Sequence, residues 1–210
     1  MMRYRAALLD FDNTILGTEQ GNFKAFHDVL HDIYGHGMRV DDFIYFTGNS
    51  WKDIFKYISN KYGKVSPEYI HKRFITIKGD FFSKHGVRIA DGFHELMERV
   101  EIKAIVTGSS WAEIEVFSDI VDFSKFDTIV TCDDFLNGKP HPEPYLLAQN
   151  RLNIEAAECF AVEDSRVGIT SARSAGVFTY FLKEFADEDH TAIADGAVDS
   201  MREIFYSQRF

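Results

Sequence analysis

Apolar residues recur with two different periods along this chain, and the change between them divides it. Ala6-Ala7-Leu8-Leu9, continued by Asp10 and Phe11, is a short apolar run that meets an acid. Such a run predicts a buried strand over 6–11 with a carboxylate at its carboxyl end. The stretch that follows is helical in texture. Phe23, Phe26, Leu30, Ile33 and Tyr34 fall on one helical face, Trp51, Ile54, Phe55 and Ile58 on another, and Ile70, Phe74, Ile77 and Phe81 on a third. Gly35-His36-Gly37 breaks the first from the second. Residues 17–86 are therefore expected to form a small antiparallel helical bundle.

After about residue 90 short strands alternate with helices. Ala104-Ile105-Val106, Thr128-Ile129-Val130, Phe160-Ala161-Val162 and Val177-Phe178-Thr179-Tyr180-Phe181 read as strands. Between them, helices turn Ile114, Phe117 and Ile120, then Tyr145, Ala148 and Leu152, inward, and a further helix runs through Ala172. Repeated strand–helix units predict a parallel sheet with helices on both faces. The expected organisation is an α/β core made of residues 1–16 and 87–210, with the helical domain 17–86 inserted after the first strand.

The length of 210 residues suits one such core carrying one insertion. The formal net charge of −10 argues against a nucleic-acid groove or an anionic membrane surface, both of which want clustered cations. An anionic small molecule stays admissible, because one bound cation and one lysine reverse the sign locally. Cys132 and Cys159 match no zinc spacing and are too few for a disulfide scaffold, so both are expected to be reduced thiols of a cytoplasmic protein. No run approaches the ~20 apolar residues needed to span a bilayer, and the short run after Arg3 and Arg5 does not read as a signal peptide.

In an open parallel sheet the ligand sits at the carboxyl ends of the strands, and four of those ends carry polar chemistry. The first reads Asp10-Phe11-Asp12-Asn13-Thr14, and alternate residues of an extended chain point the same way, so two carboxylates converge. The second, Thr107-Gly108-Ser109-Ser110, offers a hydroxyl, a close backbone approach and the free N–H groups of a helix start, which suit a phosphate. In Asn137-Gly138-Lys139-Pro140-His141-Pro142-Glu143-Pro144 a lysine is pinned between glycine and proline. Glu163-Asp164-Ser165 puts two acids side by side, a costly pair unless a cation shares them, and hard carboxylate oxygens suit Mg2+. Taken singly, these could be an acidic turn, a Ser N-cap, a surface lysine and a solvated loop. Their joint order along one sheet edge favours a site.

The four segments together resemble the haloacid dehalogenase superfamily of aspartate-nucleophile phosphotransferases, in the branch of β-phosphoglucomutase, phosphoglycolate phosphatase and the sugar- and polyol-phosphate phosphatases. The resemblance runs through the core end to end. It implies a Rossmann-like α/β core with a helical cap inserted after the first strand. It also implies a Mg2+-dependent phosphatase that acts on a small phosphomonoester through an aspartyl-phosphate. By that resemblance Asp10 is the nucleophile and Asp12 the general acid and base. Thr107, Gly108 and Ser109 hold the phosphate, and Lys139 neutralises it and Asp10. The metal set is Asp10, the main-chain carbonyl of Asp12, and Asp164, with Glu163 beside them or ligating. Asn49, Trp51 and Lys52 stand at the specificity-loop position of the cap and are the candidate substrate contacts, with packing in the cap core the alternative for Trp51; Ser110 and Trp111 are further candidates for the cleft lining, with burial against the sheet the alternative for Trp111. The chain departs from the common pattern at Asn13 and Gly17, and at Asp91-Gly92.

Two other functions compete. A phosphomutase of the β-phosphoglucomutase type holds a distal phosphate with a cap Arg, a cap His and a Lys-Asn pair, where this chain has Trp51, Asn22 and Ser110-Trp111. A non-catalytic binding or regulatory protein on the same fold would not need the intact set of catalytic residue types. His27 and His31, one helical turn apart, lack a third ligand nearby in sequence and read as a solvated helix face.

Overall fold

The computed structural model describes residues 4–46 and 50–207. In chain order its elements are β1 (Ala6–Leu9), β2 (Leu16–Gly17), α1 (Glu19–Tyr34), α2 (Val40–Phe46), α3 (Trp51–Lys61), α4 (Pro67–His85), β3 (Arg88–Ile89), α5 (Phe93–Arg99) and β4 (Ile102–Val106). They continue with α6 (Trp111–Glu115), β5 (Thr128–Val130), α7 (Glu143–Leu152), β6 (Cys159–Glu163), α8 (Arg166–Ser174), β7 (Phe178–Leu182), β8 (Gly196–Val198) and α9 (Met201–Ser207). The chain separates into two compact units, Thr18–Val87 and the remainder.

The larger unit is a six-stranded sheet in the order β5-β4-β1-β6-β7-β8, with every pair parallel. β1 lies between β4 and β6, and Ala6, Ala7, Leu8 and Leu9 are all buried. Burial on both faces is why these residues read as a continuous apolar run without alternation. Register sets Leu9 beside Ile105 on one side and Val162 on the other, so three chains leave the sheet together at one edge. Asp10 extends the ladder by donating its N–H to the Val162 carbonyl, and Thr107 does the same to Val130.

A short antiparallel ribbon, β2 with β3, stands beside this sheet and pairs Gly17 with Arg88, the residues that flank the helical unit. Asn13, where glycine is common, has φ 56°. Asn tolerates that left-handed backbone better than other residues with a side chain. At Gly17 the Phe185 ring would lie 3.1 Å from any Cβ, and at Asp91 the backbone N–H donates to Glu184 Oε2 at 2.8 Å, a bond that proline cannot make. Both departures are thus local accommodations.

Among the described residues the helical unit contains four helices where three are expected, because α2 is too short to show a period. α1 ends at Gly35 in a left-handed cap, as the Gly-His-Gly break predicts. α4 differs in register: Ile70, Phe74, Lys78 and Phe82 are buried, and Ile77 and Phe81 are only half-buried. The strict four-residue row wins because Gly21 of α1 leaves room for the Phe82 ring; a Cβ there would fall 2.1 Å from it. Phe23, expected inside, is 39% exposed, and so is Ile120 in the core at 38%, where α6 stops after Glu115 and turns replace the expected longer helix.

Asp42 on α2 is fully buried. It accepts from the Arg39 N–H at 2.9 Å, from the Tyr57 hydroxyl at 2.8 Å, and from Lys61 and the Tyr62 hydroxyl. Burial pushes its pKa up, but these four donors outweigh it and hold the carboxyl at about 2. Asp42→Ala is expected to destabilise the protein by about 3 kcal/mol, since it strands a lysine and two hydroxyls. The sign with pH follows from a depressed pKa: the contribution is complete above the unfolded value of ~3.9 and disappears as pH falls towards 2. Urea midpoints of wild type and variant should therefore converge on acidification, and parallel curves would refute the assignment.

Candidate active site

Asp10 sits just past β1 and is 7% exposed. The Lys139 ammonium donates to Asp10 Oδ1 at 2.6 Å and to Glu163 Oε1 at 2.6 Å. The lysine thus bridges the carboxyl ends of neighbouring strands β1 and β6, arriving on the loop before α7. That loop is pinned by Glu143, which accepts from the Leu136 N–H at 2.8 Å and the Asn137 N–H at 3.1 Å, and by Ser171, which donates to the His141 carbonyl at 2.6 Å. Glu163 has no exposed surface. Its Oε1 also accepts from the Tyr145 hydroxyl, and Ser165 lies 3.4 Å from Oε2. A Cβ on Gly168 would fall 1.9 Å from that same Oε2, so glycine is what admits the carboxylate there.

The electrostatics follow from this crowding. Burial, followed by the charges of Glu163 and Asp12, pushes the Asp10 carboxyl up to about 8 against the pull of Lys139. Asp164 is raised well above the carboxylate range by burial and by Asp10 and Glu163. Burial draws the Lys139 ammonium down, but Asp10 and Glu163 more than offset it, and its pKa ends above the usual value. One lysine therefore serves three acids.

Carboxylate oxygens of Asp10, Glu163 and Asp164 all come within 4.8 Å of one another, which is the spacing of a shared cation. The donor set is all oxygen, and three crowded carboxyl groups stand beside a single bridging lysine, so the residues fit a hard divalent cation. Glu163 is the least available of the three, because its Oε1 already holds Lys139 and Tyr145.

Asp12 and Ser109 meet across the site, with the Ser109 hydroxyl donating to Asp12 Oδ2 at 2.6 Å. Thr107 is buried, and its Oγ1 accepts from the Ser109 N–H at 3.1 Å, which leaves its own O–H to donate elsewhere. A Cβ on Gly108 would meet nothing within 4 Å, so open space faces the backbone there.

Of the remaining candidates, Asn49 lies outside the described residues. Trp51, at the start of α3, is half-buried in the helical unit, with ring centroids 5.5 Å from Phe26, 5.1 Å from Phe74 and 4.6 Å from His71; Lys52 beside it is exposed. Trp111 is 39% exposed on the core, where its ring meets Phe123. Sequence reasoning placed Tyr145 only as an inward helix position and missed its hydroxyl. The available signal was that a buried tyrosine needs a polar partner.

The parallel α/β sheet thus collects an acid–lysine–acid cluster at the carboxyl edge of its central strands, where open α/β sheets bind their ligands. The sequence profile of the haloacid dehalogenase-like hydrolase family matches residues 7–182, and the chain belongs to that family. The validoxylamine A 7'-phosphate phosphatase of Streptomyces hygroscopicus subsp. limoneus is 26% identical over 209 residues, spanning 96% of each protein. Pyrophosphatase PpaX of Bacillus cereus is 29% identical over 188 residues, covering 85% of this chain and 82% of that one. The crystal structure of CbbY from Rhodobacter sphaeroides in complex with phosphate superposes with a TM-score of 0.84 at 21% identity, over 97% of this chain and 96% of that one, a likeness of fold.

Proposed function

We propose that this phosphoric monoester hydrolase cleaves a small sugar, polyol or glycolate phosphate in two in-line displacements through an aspartyl-phosphate on Asp10, with Mg2+ as its cation. The observation that carries the reading is the Lys139 bridge between Asp10 and Glu163 beside Asp164, an acid-rich cluster at the edge where β1 and β6 end. In the first displacement a carboxylate oxygen of Asp10 attacks phosphorus, the bond to the ester oxygen breaks, and Asp12 gives its proton to the leaving alkoxide. In the second, Asp12 takes a proton from water, the hydroxide attacks phosphorus, and inorganic phosphate leaves with Asp10 restored.

Thr107 and the backbone N–H of Gly108 receive the phosphate oxygens, with the Ser109 side chain beside them, and Lys139 offsets the charge that develops on them. Asp10, Asp164 and the main-chain carbonyl of Asp12 would hold the cation, with Glu163 assigned to holding the lysine. When bound, Mg2+ withdraws charge from the phosphoryl oxygens and relieves the repulsion between Asp10 and Asp164. The helical unit Thr18–Val87 acts as the cap that excludes bulk water and meets the organic part of the substrate, through Asn49, Trp51 and Lys52. The name of one relative, a validoxylamine A 7'-phosphate phosphatase, supports a phosphate ester as substrate, and that of the other, a pyrophosphatase, points to a phosphoanhydride.

The test is a turnover screen with Mg2+ over sugar phosphates, polyol phosphates, phosphoglycolate, nucleoside monophosphates and pyrophosphate, with glucose 1-phosphate isomerisation alongside. Hydrolysis of at least one ester is expected, abolished by a chelator and restored by added Mg2+. Undiminished turnover in chelator would refute the cation, and phosphate migration without release would favour a mutase.

A further inference from the structure

Tyr145 has no exposed surface and belongs to the core cluster that includes Val130, Ala148 and Ala172. Phenylalanine would fill that space, and a buried hydroxyl is costly unless it has a partner. The partner is Glu163 Oε1, the same oxygen that accepts from the Lys139 ammonium. The rest of Glu163 is already confined. Its backbone is paired in β6 with Phe181 of β7. Its Oε2 lies in the space that Gly168 leaves open, 1.9 Å from where a Cβ would stand, with the Ser165 hydroxyl 3.4 Å away. Rotation of the carboxylate about its last bond is the freedom that remains, and two donors on one oxygen, arriving from the loop and from α7, remove it. The Tyr145 ring also faces the lysine, with Nζ 5.4 Å from its centroid, within the range of a cation–π contact.

We propose that Tyr145 is a positioning residue for Lys139: by fixing Glu163 Oε1 it sets the direction of the ammonium's third N–H, the one left for a phosphoryl oxygen of the substrate. The proposal rests on the phosphatase reading and on the role given there to Lys139. An ammonium carries three N–H donors in a tetrahedral array. Among the described residues two of them are taken, by Asp10 Oδ1 and by Glu163 Oε1, each at 2.6 Å. Once two of the three directions are fixed, the third is determined. Asp10 cannot supply both anchors, and as the proposed nucleophile it shifts towards phosphorus during the reaction. Glu163 is the anchor that stays, provided that its own oxygen is held. Without the Tyr145 hydroxyl that carboxylate can turn, the ammonium follows it, and the third N–H loses its aim. A contact of this kind speeds the reaction when it is in place before charge develops, so its loss falls on kcat more than on substrate binding.

The experiment compares Tyr145→Phe, Lys139→Met and the double variant, in full-length protein with Mg2+, on an ester that the wild type hydrolyses. Tyr145→Phe keeps the ring and removes the oxygen alone. It is expected to lower kcat about 10- to 100-fold, the scale of a misplaced group. KM should stay within about 3-fold, because the contact strengthens in the transition state. On the Lys139→Met background the same substitution should change kcat by less than about 2-fold, since a residue that acts through another has no effect once that residue is gone. Affinity for Mg2+, read without substrate from the rise in melting temperature, should differ by less than about 2-fold between Tyr145→Phe and wild type. A lowered melting temperature with kcat within about 2-fold of wild type would make the hydroxyl a matter of core stability and overturn the proposal. So would a loss in kcat that persists in full without the lysine, or a weakened response to Mg2+, which would put the action of Tyr145 on the cation instead. Should Lys139→Met fail to fold, the split between kcat and KM and the Mg2+ response of Tyr145→Phe decide by themselves. Lys139→Met as fast as wild type would refute the lysine's role and the proposal with it. A slow Lys139→Met beside an unimpaired Tyr145→Phe would sink the positioning role alone.

Discussion

Asp10→Asn is expected to lower turnover by about four orders of magnitude or more while the protein remains folded. The substitution is nearly isosteric and removes only the oxyanion proposed to attack; an amide oxygen is too weak a nucleophile to displace an alkoxide from phosphorus. Folding should survive because the site already strains against charge at this position. Burial and the neighbouring acids push the Asp10 carboxyl up to about 8, so a neutral side chain there relieves repulsion on Asp164 and Glu163. Lys139 keeps Glu163 as a partner, so it is not left alone in the interior. A thermal melt at or above the wild-type temperature, with turnover lost on every ester the enzyme accepts, is the result anticipated. Activity within tenfold of wild type would mean that another group attacks phosphorus.

Lys139→Met should damage both rate and stability, which Asp10→Asn does not. Methionine keeps much of the side-chain length and removes the ammonium. Asp10, Glu163 and Asp164 would then face one another without the one side-chain cation that bridges two of them. Breaking a buried pair in this way costs about 3–5 kcal/mol, read as a fall in the urea midpoint. The rate should fall about 10²- to 10³-fold, the usual loss for one electrostatic contact to the transition state. Added Mg2+ should recover part of the stability, because a divalent ion among the carboxylates replaces some of the missing charge. It should recover little of the rate, since Asp10 would lack the donor that sets its direction. Unchanged urea midpoints with and without Mg2+ would show that the lysine is not the element that balances these acids.

The strand-end chemistry was legible because the placing of a residue just past a buried strand follows from local pattern alone. Asp10, Thr107 and Glu163 each follow or close an apolar run, and parallel register does the rest. Lys139 was legible for a different reason, the glycine and prolines that pin its loop. What stayed hidden depends on pairs far apart in the chain. Ser109 and Asp12 are 97 positions apart, and no spacing rule connects them. Tyr145 was visible as core, but the acceptor for its hydroxyl was not. In the helical unit the periodicity of α4 allowed two adjacent rows, and Gly21 on another helix decided between them. The burial of Lys78 in that row runs against its polarity and could not be read from sequence.

The ribbon that pairs Gly17 with Arg88 has a topological consequence. Seen from the sheet, all of Thr18–Val87 is the connection of a hairpin whose two legs already touch. Lengthening a flexible connection costs only about 0.6 kcal/mol per doubling. The sheet register is set by β1, β4 and β6 and does not depend on what the hairpin carries. The fold can therefore exchange one connection for another, larger or smaller, while β1, β4 and β6 keep the strand ends that carry Asp10, Thr107 and Glu163 in register.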